Sequence, residues 1–237
     1  MDKPVVFITG ASAGFGRALA REWAARGARL LLTARSAERL FKVAEDLRRT
    51  TEVLAEAIDV CDDASNAAFV ASAIERFGAI DVLVNNASTI GSSPMPRCEN
   101  LGAAEFFELM EVNVRAPLAI AQHVIPHMRA AASGKIANVT SDAAVNAYAG
   151  WGGYGASKAA LEHLSRILAA ELEGSCISIV VLDPGNMNTQ MHRDAEPAED
   201  LSGLPSPDSV APHAVDLIEG AALPYQRYEV QAVGAGV

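Results

Sequence analysis

Positive charge is in short supply in this chain: 19 Lys and Arg stand against 29 Asp and Glu, for a formal charge of −10. Binding a polyanion requires clustered cations that displace its counterions. A nucleic-acid or anionic-membrane surface is therefore excluded as the main function, and only a local basic pocket is expected. Cysteine is also scarce. Cys61, Cys98 and Cys176 are odd in number and widely spaced, which fits no disulfide framework and suits reduced thiols in a cytoplasmic protein, each expected to be a small buried hydrophobe. No uninterrupted apolar run approaches the roughly 18 residues needed to span a bilayer. Met1-Asp2-Lys3-Pro4 leads straight into an apolar stretch, so neither a signal peptide nor a membrane anchor is expected. His123 and His127 have i, i+4 spacing, but Pro126 lies between them and no third ligand is near in sequence, so no metal site is expected.

What the chain does have is apolar residues, 50% of its 237 positions. That is enough for one large core, and a single domain over 1–237 is expected. Apolar strands are predicted near 4–9, 28–34, 53–58, 80–85, 134–140, 176–182 and 228–233, and helices near 14–26, 36–49, 63–77, 103–132, 151–173 and 208–220. Such βα alternation builds a doubly wound α/β fold, a mostly parallel seven-stranded sheet covered by helices on both faces. Ligands then bind beyond the carboxyl ends of the strands. The segment 186–207, rich in Asp, Glu, Pro and Met, is expected to form a mobile loop or short helix over that site, a substrate loop.

Tyr154 and Lys158 are the strongest chemical pair. Residues four apart on a helix share one face, so a phenol stands beside an ammonium. Lowering a tyrosine pKa from about 10 to about 7 requires about 4 kcal/mol of phenolate stabilisation. A cation roughly 5 Å away supplies about 3 kcal/mol at an effective dielectric of about 20. Lys158 is thus expected to bring Tyr154 towards neutrality as a general acid and base, with a positively charged cofactor and the helix N-terminus supplying the remainder. At the other end of the chain, Val5-Val6-Phe7-Ile8 runs into Thr9-Gly10-Ala11-Ser12-Ala13-Gly14-Phe15-Gly16 and then a helical pattern. This strand, glycine turn and helix N-terminus can approach and hold a pyrophosphate.

Thr9-Gly10-x-x-x-Gly14-x-Gly16, Asn85-Asn86-Ala87 after a central strand, and Ser141 thirteen residues before Tyr154-x-x-x-Lys158 resemble the short-chain dehydrogenase/reductase family in its classical form. The resemblance continues through Asp59-Val60, Asn113 and Pro184-Gly185 with Thr189, in the family's order, over nearly the whole chain. It implies a single Rossmann-type domain. Gly10, Ser12, Gly14, Phe15 and Gly16 would hold the cofactor's phosphates, with Asp59, Val60, Asn86 and Ala87 around the adenine. Pro184, Gly185 and Thr189 would meet the nicotinamide or pyrophosphate. Tyr154 would pass the proton, Lys158 would hold the nicotinamide ribose, Ser141 would orient the substrate oxygen, and Asn113 would hold a water linking Lys158 to solvent. Ser88 stands where glycine usually follows Asn-Asn-Ala, and its Cβ is expected to narrow the nicotinamide pocket or shift the loop.

The end of the second strand reads Leu31-Leu32-Thr33-Ala34-Arg35-Ser36. A carboxylate there favours NAD, whereas arginine welcomes a 2′-phosphate. Ala34 and Arg35 therefore point to NADP(H). The expected activity is reversible hydride transfer between a carbonyl and an alcohol. The alternative is a non-catalytic NADP(H)-binding redox sensor or regulator. Expected partners are a small carbonyl or alcohol substrate and a second copy of the chain, in a homodimer or homotetramer. Tyr148 and Trp151 are candidates for an aromatic wall beside the substrate. The stripe Leu161, Leu164, Ile167 and Leu168 is expected to be core or subunit interface.

Overall fold

The computed structural model describes residues 3–231. Its strands are β1 (Val5–Thr9), β2 (Arg29–Ala34), β3 (Val53–Ala57), β4 (Val82–Asn85), β5 (Gly134–Val139), β6 (Ile177–Asp183) and β7 (Tyr225–Glu229). They form one sheet in the order β3-β2-β1-β4-β5-β6-β7, with every neighbouring pair parallel. The helices are α1 (Gly14–Ala25), α2 (Ala37–Leu47), α3 (Asp63–Phe77), α4 (Ala103–Met110), α5 (Ala116–Ala131), α6 (Gly152–Glu171), α7 (Gln190–Ala195) and α8 (Pro207–Gly220).

Side chains alternate across a strand, and both faces of β1 are apolar because both are covered. Val6 and Ile8, with Leu30 and Leu32 of β2, pack against Leu19 and Trp23 of α1, Leu40 of α2 and Val215 of α8. Val5, Phe7 and Leu31 pack on the other face against Phe69 of α3 and Ile120 and Val124 of α5. The order of strands diverges between β1 and β4, so their carboxyl ends open a crevice instead of being bridged by a crossover.

Three expectations change. The predicted helix over 103–132 is α4 and α5 joined through a π-helical turn, Glu111–Arg115, which carries Asn113. The extra residue in such a turn re-aims side chains, a change that apolar periodicity does not reveal. The last strand is Tyr225–Glu229 and not 228–233: Tyr225 pairs with Ile179 and Glu229 with Asp183, leaving a half-buried edge strand of mixed polarity. Residues 232 and 233 lie outside the described part. The thiols are not buried, since Cys98 and Cys176 are exposed and Cys61 half-buried. Along the stripe on α6, Leu161 is core, while Ile167 is 44% exposed. His123 meets Asp63 of α3 at 2.9 Å. Among the described residues, no helix is long and apolar enough to cross a membrane.

Candidate active site

The glycine turn after β1 is held by β4. Gly10 and Gly14 lie at φ 68° and 52°, the left-handed region that an L side chain disfavours. The Thr9 hydroxyl accepts the amides of Asn86 and Ala87 at 3.1 and 3.0 Å. The Asn86 carboxamide donates to the carbonyls of Thr9 and Gly10 at 2.9 and 3.4 Å. Asn86 borders the cavity as expected, but its amide nitrogen is engaged in bracing the turn. A Cβ on Gly16 would run into that same amide group and would lie 2.5 Å from the Gly10 carbonyl.

A cavity of about 530 Å³ extends from Arg35 and Asp59 past Gly14 to Ser141, Tyr154 and Lys158. Of the residues expected at the site, Gly10, Ser12, Phe15, Val60, Asn86, Ala87, Pro184, Gly185 and Thr189 also line it, while Gly16 and Asn113 stand behind the wall. At one mouth Arg35 is exposed beside Ala34, Ser12 and Ser36, and Arg39 joins it. Neither arginine forms an ion pair among the described residues. Arg39 was missed by sequence reading, although its i+4 spacing from Arg35 across the start of α2 was a visible sign. Asp59 is half engaged, with Oδ1 accepting the Cys61 amide at 3.0 Å. Thr189 caps α7, its hydroxyl accepting the His192 amide at 3.2 Å. Gln231, which sequence reading also missed, donates to the carbonyls of Pro184 and Asn186 at 2.9 and 2.8 Å and so holds the left-handed turn at Gly185.

Tyr154 and Lys158 rise from the first two turns of α6, with the Lys158 ammonium 5.6 Å from the centre of the Tyr154 ring. Lys158 is buried and donates to the Val139 carbonyl at 2.8 Å. Burial without a facing carboxylate draws its pKa down to about 8. Tyr154 is buried as well. Burial pushes its phenol well above the ordinary tyrosine range, the Ser141 and Ser88 hydroxyls draw it back, and Asp183 and Asp142 oppose them. In the protein alone Tyr154 is therefore held protonated, because desolvation outweighs the neighbouring ammonium that the i, i+4 estimate relied on.

Ser141 serves two purposes. Its hydroxyl accepts the Ala143 amide at 3.2 Å, capping a short turn, and donates to Asp142 at 3.0 Å. Asn113 is saturated: its oxygen accepts from Ser88 (3.0 Å) and the Thr89 amide (2.9 Å), and its nitrogen donates to the Thr89 carbonyl and Ser157 hydroxyl, both at 2.9 Å. This side chain staples the loop after β4 to α6. Around the phenol, Trp151 packs edge-on at 5.8 Å and lines the cavity, while Tyr148 packs on Trp151 at 6.1 Å outside the lining. The Trp151 indole donates to Glu196 at 3.0 Å, and Met187, Ala195 and Leu201 are buried, so the segment over 186–207 folds onto the site with α7 as its helix.

The description "short chain dehydrogenase" belongs to the family model that matches residues 4–200. Among similar proteins, 2-(R)-hydroxypropyl-CoM dehydrogenase of Xanthobacter autotrophicus is 37% identical over 193 residues, 79% of this chain and 76% of the relative. The NADPH-dependent pterin aldehyde reductase of Arabidopsis thaliana is 36% identical over 195 residues, 78% and 76% of the two chains. The solved structure of an alcohol dehydrogenase from the archaeon Thermococcus sibiricus, complexed with 5-hydroxy-NADP, superposes with a TM-score of 0.83 at 30% identity, covering 96% of each chain. A parallel sheet with its glycine turn, Tyr154, Lys158 and Ser141 gathered at one crevice, together with these similarities, makes the chain a member of the short-chain dehydrogenase family of oxidoreductases.

Proposed function

We propose that this chain reduces a carbonyl compound to the alcohol with NADPH, reversibly, in the cytoplasm. The observation that carries the reading is the single cavity joining a cationic mouth at Arg35 and Arg39 to the buried Tyr154 and Lys158. The residues fit the cofactor: side-chain-free Gly10 and Gly14 leave room beside the α1 N-terminus for a pyrophosphate, and Arg35 and Arg39 suit a 2′-phosphate. The 30%-identical Thermococcus enzyme is complexed with an NADP derivative, which supports the same assignment.

When bound, the reduced nicotinamide supplies hydride to the carbonyl carbon. Ser141 turns its hydroxyl onto the carbonyl oxygen and orients it, while Tyr154 donates its proton to that oxygen as negative charge develops. Burial keeps the phenol protonated in the protein alone, the form that gives a proton in reduction. Lys158 binds the nicotinamide ribose and meets the phenolate left behind. Asp59 and Val60 receive the adenine, and the 186–207 segment, with Trp151, excludes water around the substrate. A second copy of the chain covers the exposed Phe107 and its apolar neighbours Met110, Val114 and Leu118.

The test is NADPH consumption against a panel of ketones and aldehydes, with NADH as control and Tyr154→Phe alongside wild type. Turnover is expected to fall by several orders of magnitude in Tyr154→Phe while cofactor affinity holds. Retained turnover in that variant would remove Tyr154 from the mechanism.

A further inference from the structure

We propose that Arg227, on the edge strand β7, is a positioning residue for the reacting groups: through the buried Glu162 carboxylate and the Thr140 hydroxyl it fixes the strand end carrying Ser141 against the helix carrying Tyr154 and Lys158. This rests on those three side chains performing the reduction. Arg227 itself stands outside the cavity lining.

Thr140 sits between two functional points. Before it, the Val139 carbonyl accepts the Lys158 ammonium at 2.8 Å, and after it comes Ser141. Its amide donates to the Leu182 carbonyl of β6 at 2.8 Å. Its hydroxyl donates to Glu162 Oε1 at 2.9 Å. Glu162 lies four residues beyond Lys158 on α6, on the same helix face, so this one hydrogen bond ties the end of β5 to the face that bears the ammonium. Thr140 and Glu162 are both buried.

A buried carboxylate held only by a hydroxyl sheds its charge or turns towards water. Arg227 supplies the missing cation. Its Nε meets the two Glu162 oxygens at 3.1 and 3.2 Å, while its terminal nitrogens reach Asp183 of β6 at 3.5 Å and Glu229 at 3.0 Å. Asp183 lines the cavity and accepts the Gly185 amide at 3.0 Å. A planar guanidinium can face three carboxylates at once, which an ammonium cannot match. Arg166 is no substitute: it stands 3.9 Å from Glu162, is 55% exposed and donates to the Tyr225 hydroxyl. Without Arg227, Glu162 and Asp183 are two buried carboxylates that have lost their shared cation. Glu162 then swings towards water at the sheet edge, Thr140 loses its acceptor, and Ser141 is no longer held in register with Tyr154.

The experiment compares wild type with Arg227→Met, Arg227→Met/Glu162→Gln and Thr140→Val. In the cofactor-free protein it follows hydrogen exchange of the Thr140, Ala143 and Ala144 amides, which meet the Leu182 carbonyl and Ser141, against the amides of β1 as reference. With cofactor it follows NADPH affinity by fluorescence, and kcat for the carbonyl compound of the panel that wild type reduces fastest. In Arg227→Met, exchange at the three amides is expected to quicken about tenfold with β1 unchanged. There kcat falls about ten- to a hundredfold while NADPH affinity holds within about twofold, as for a misplaced reacting group. The double variant keeps an oxygen for Thr140 and removes the stranded charge, so it recovers most of both. Faster exchange spread equally over the sheet, unchanged exchange and kcat, or no recovery in the double variant would overturn the proposal. Should Arg227→Met not fold, Thr140→Val decides alone: the same local quickening and fall in kcat support the link, and their absence overturns it. Turnover retained in Tyr154→Phe overturns the reading beneath and leaves the exchange pattern untouched, so the two failures are separable.

Discussion

Lys158 donates to the main-chain carbonyl of Val139 at 2.8 Å, from a site that is 2% exposed and has no carboxylate partner among the described residues. Burying its ammonium costs the cofactor-free fold stability. The pKa falls to about 8 in the folded protein, against about 10.4 in an unfolded chain. The folded state therefore binds fewer protons across that window. Below pH 8 the full cost of burying the charge is present, and it fades as pH rises towards about 10.4.

Lys158→Met should accordingly stabilise the cofactor-free protein. With the unpaired Val139 carbonyl offsetting part of the gain, about 1–2 kcal/mol is expected at pH 7, or about 3–6 °C in Tm. The advantage should shrink above pH 8. Calorimetry of both proteins from pH 6 to 10 checks the sign, and an equal or lower Tm for the variant at pH 7 contradicts it. Cofactor binding and turnover should both be lost.

Arg35 and Arg39 share the cationic mouth, so neither alone should account for cofactor choice. Charge-assisted hydrogen bonds are worth about 1.5–3 kcal/mol, hence NADPH should be preferred over NADH by roughly ten- to a hundredfold in kcat/KM. Arg35→Ala should reduce that ratio and Arg35→Ala/Arg39→Ala should abolish it. Ala34→Asp should reverse it. Steady-state rates with both cofactors at matched ionic strength decide the matter, since exposed phosphate contacts are screened. A double variant with undiminished preference would show that both side chains face only solvent.

Gly16→Ala places a methyl on the Asn86 carboxamide and 2.5 Å from the Gly10 carbonyl. Backbone cannot yield cheaply there. Overpacking of this kind costs about 1–3 kcal/mol, and NADPH affinity should fall further than stability because the displaced turn is the phosphate cradle. Gly27→Ala is the control: its Cβ meets nothing within 4 Å, although its φ of 83° still carries strain. Fluorescence titration of NADPH alongside thermal melts separates the two effects; normal affinity in Gly16→Ala would mean that the turn relaxes away from Asn86.

Phe107, 69% exposed on α4, is expected to be buried by a second copy. Phe107→Glu should lower the mass seen by light scattering to that of a smaller assembly, while the monomer's melting changes by no more than about 0.5 kcal/mol, as for an ordinary surface substitution. An unchanged mass would place the interface elsewhere.

The βα alternation, the glycine turn and the Tyr154, Lys158 and Ser141 register were all legible in the sequence. Each depends on local chemistry: strands buried on both faces read as apolar runs, a left-handed turn demands glycine, and i, i+4 spacing places two side chains on one helix face. Ala34 followed by Arg35 was legible for the same reason, as a residue type at the end of a strand.

What remained hidden depended on distant partners. That Asn113 sits in a π turn and is saturated by Ser88, Thr89 and Ser157 requires three segments to meet. Gln231 bracing the Pro184 and Asn186 carbonyls joins residues more than forty positions apart. Spacing announces the ammonium beside Tyr154 but not the depth of burial, which in the protein alone keeps the phenol protonated. Sequence by itself determined the fold and the residues brought together at the crevice, through periodicity and residue type. Only the tertiary structure decided the charge those groups carry, because desolvation and long-range hydrogen bonds arise when the layers close over them.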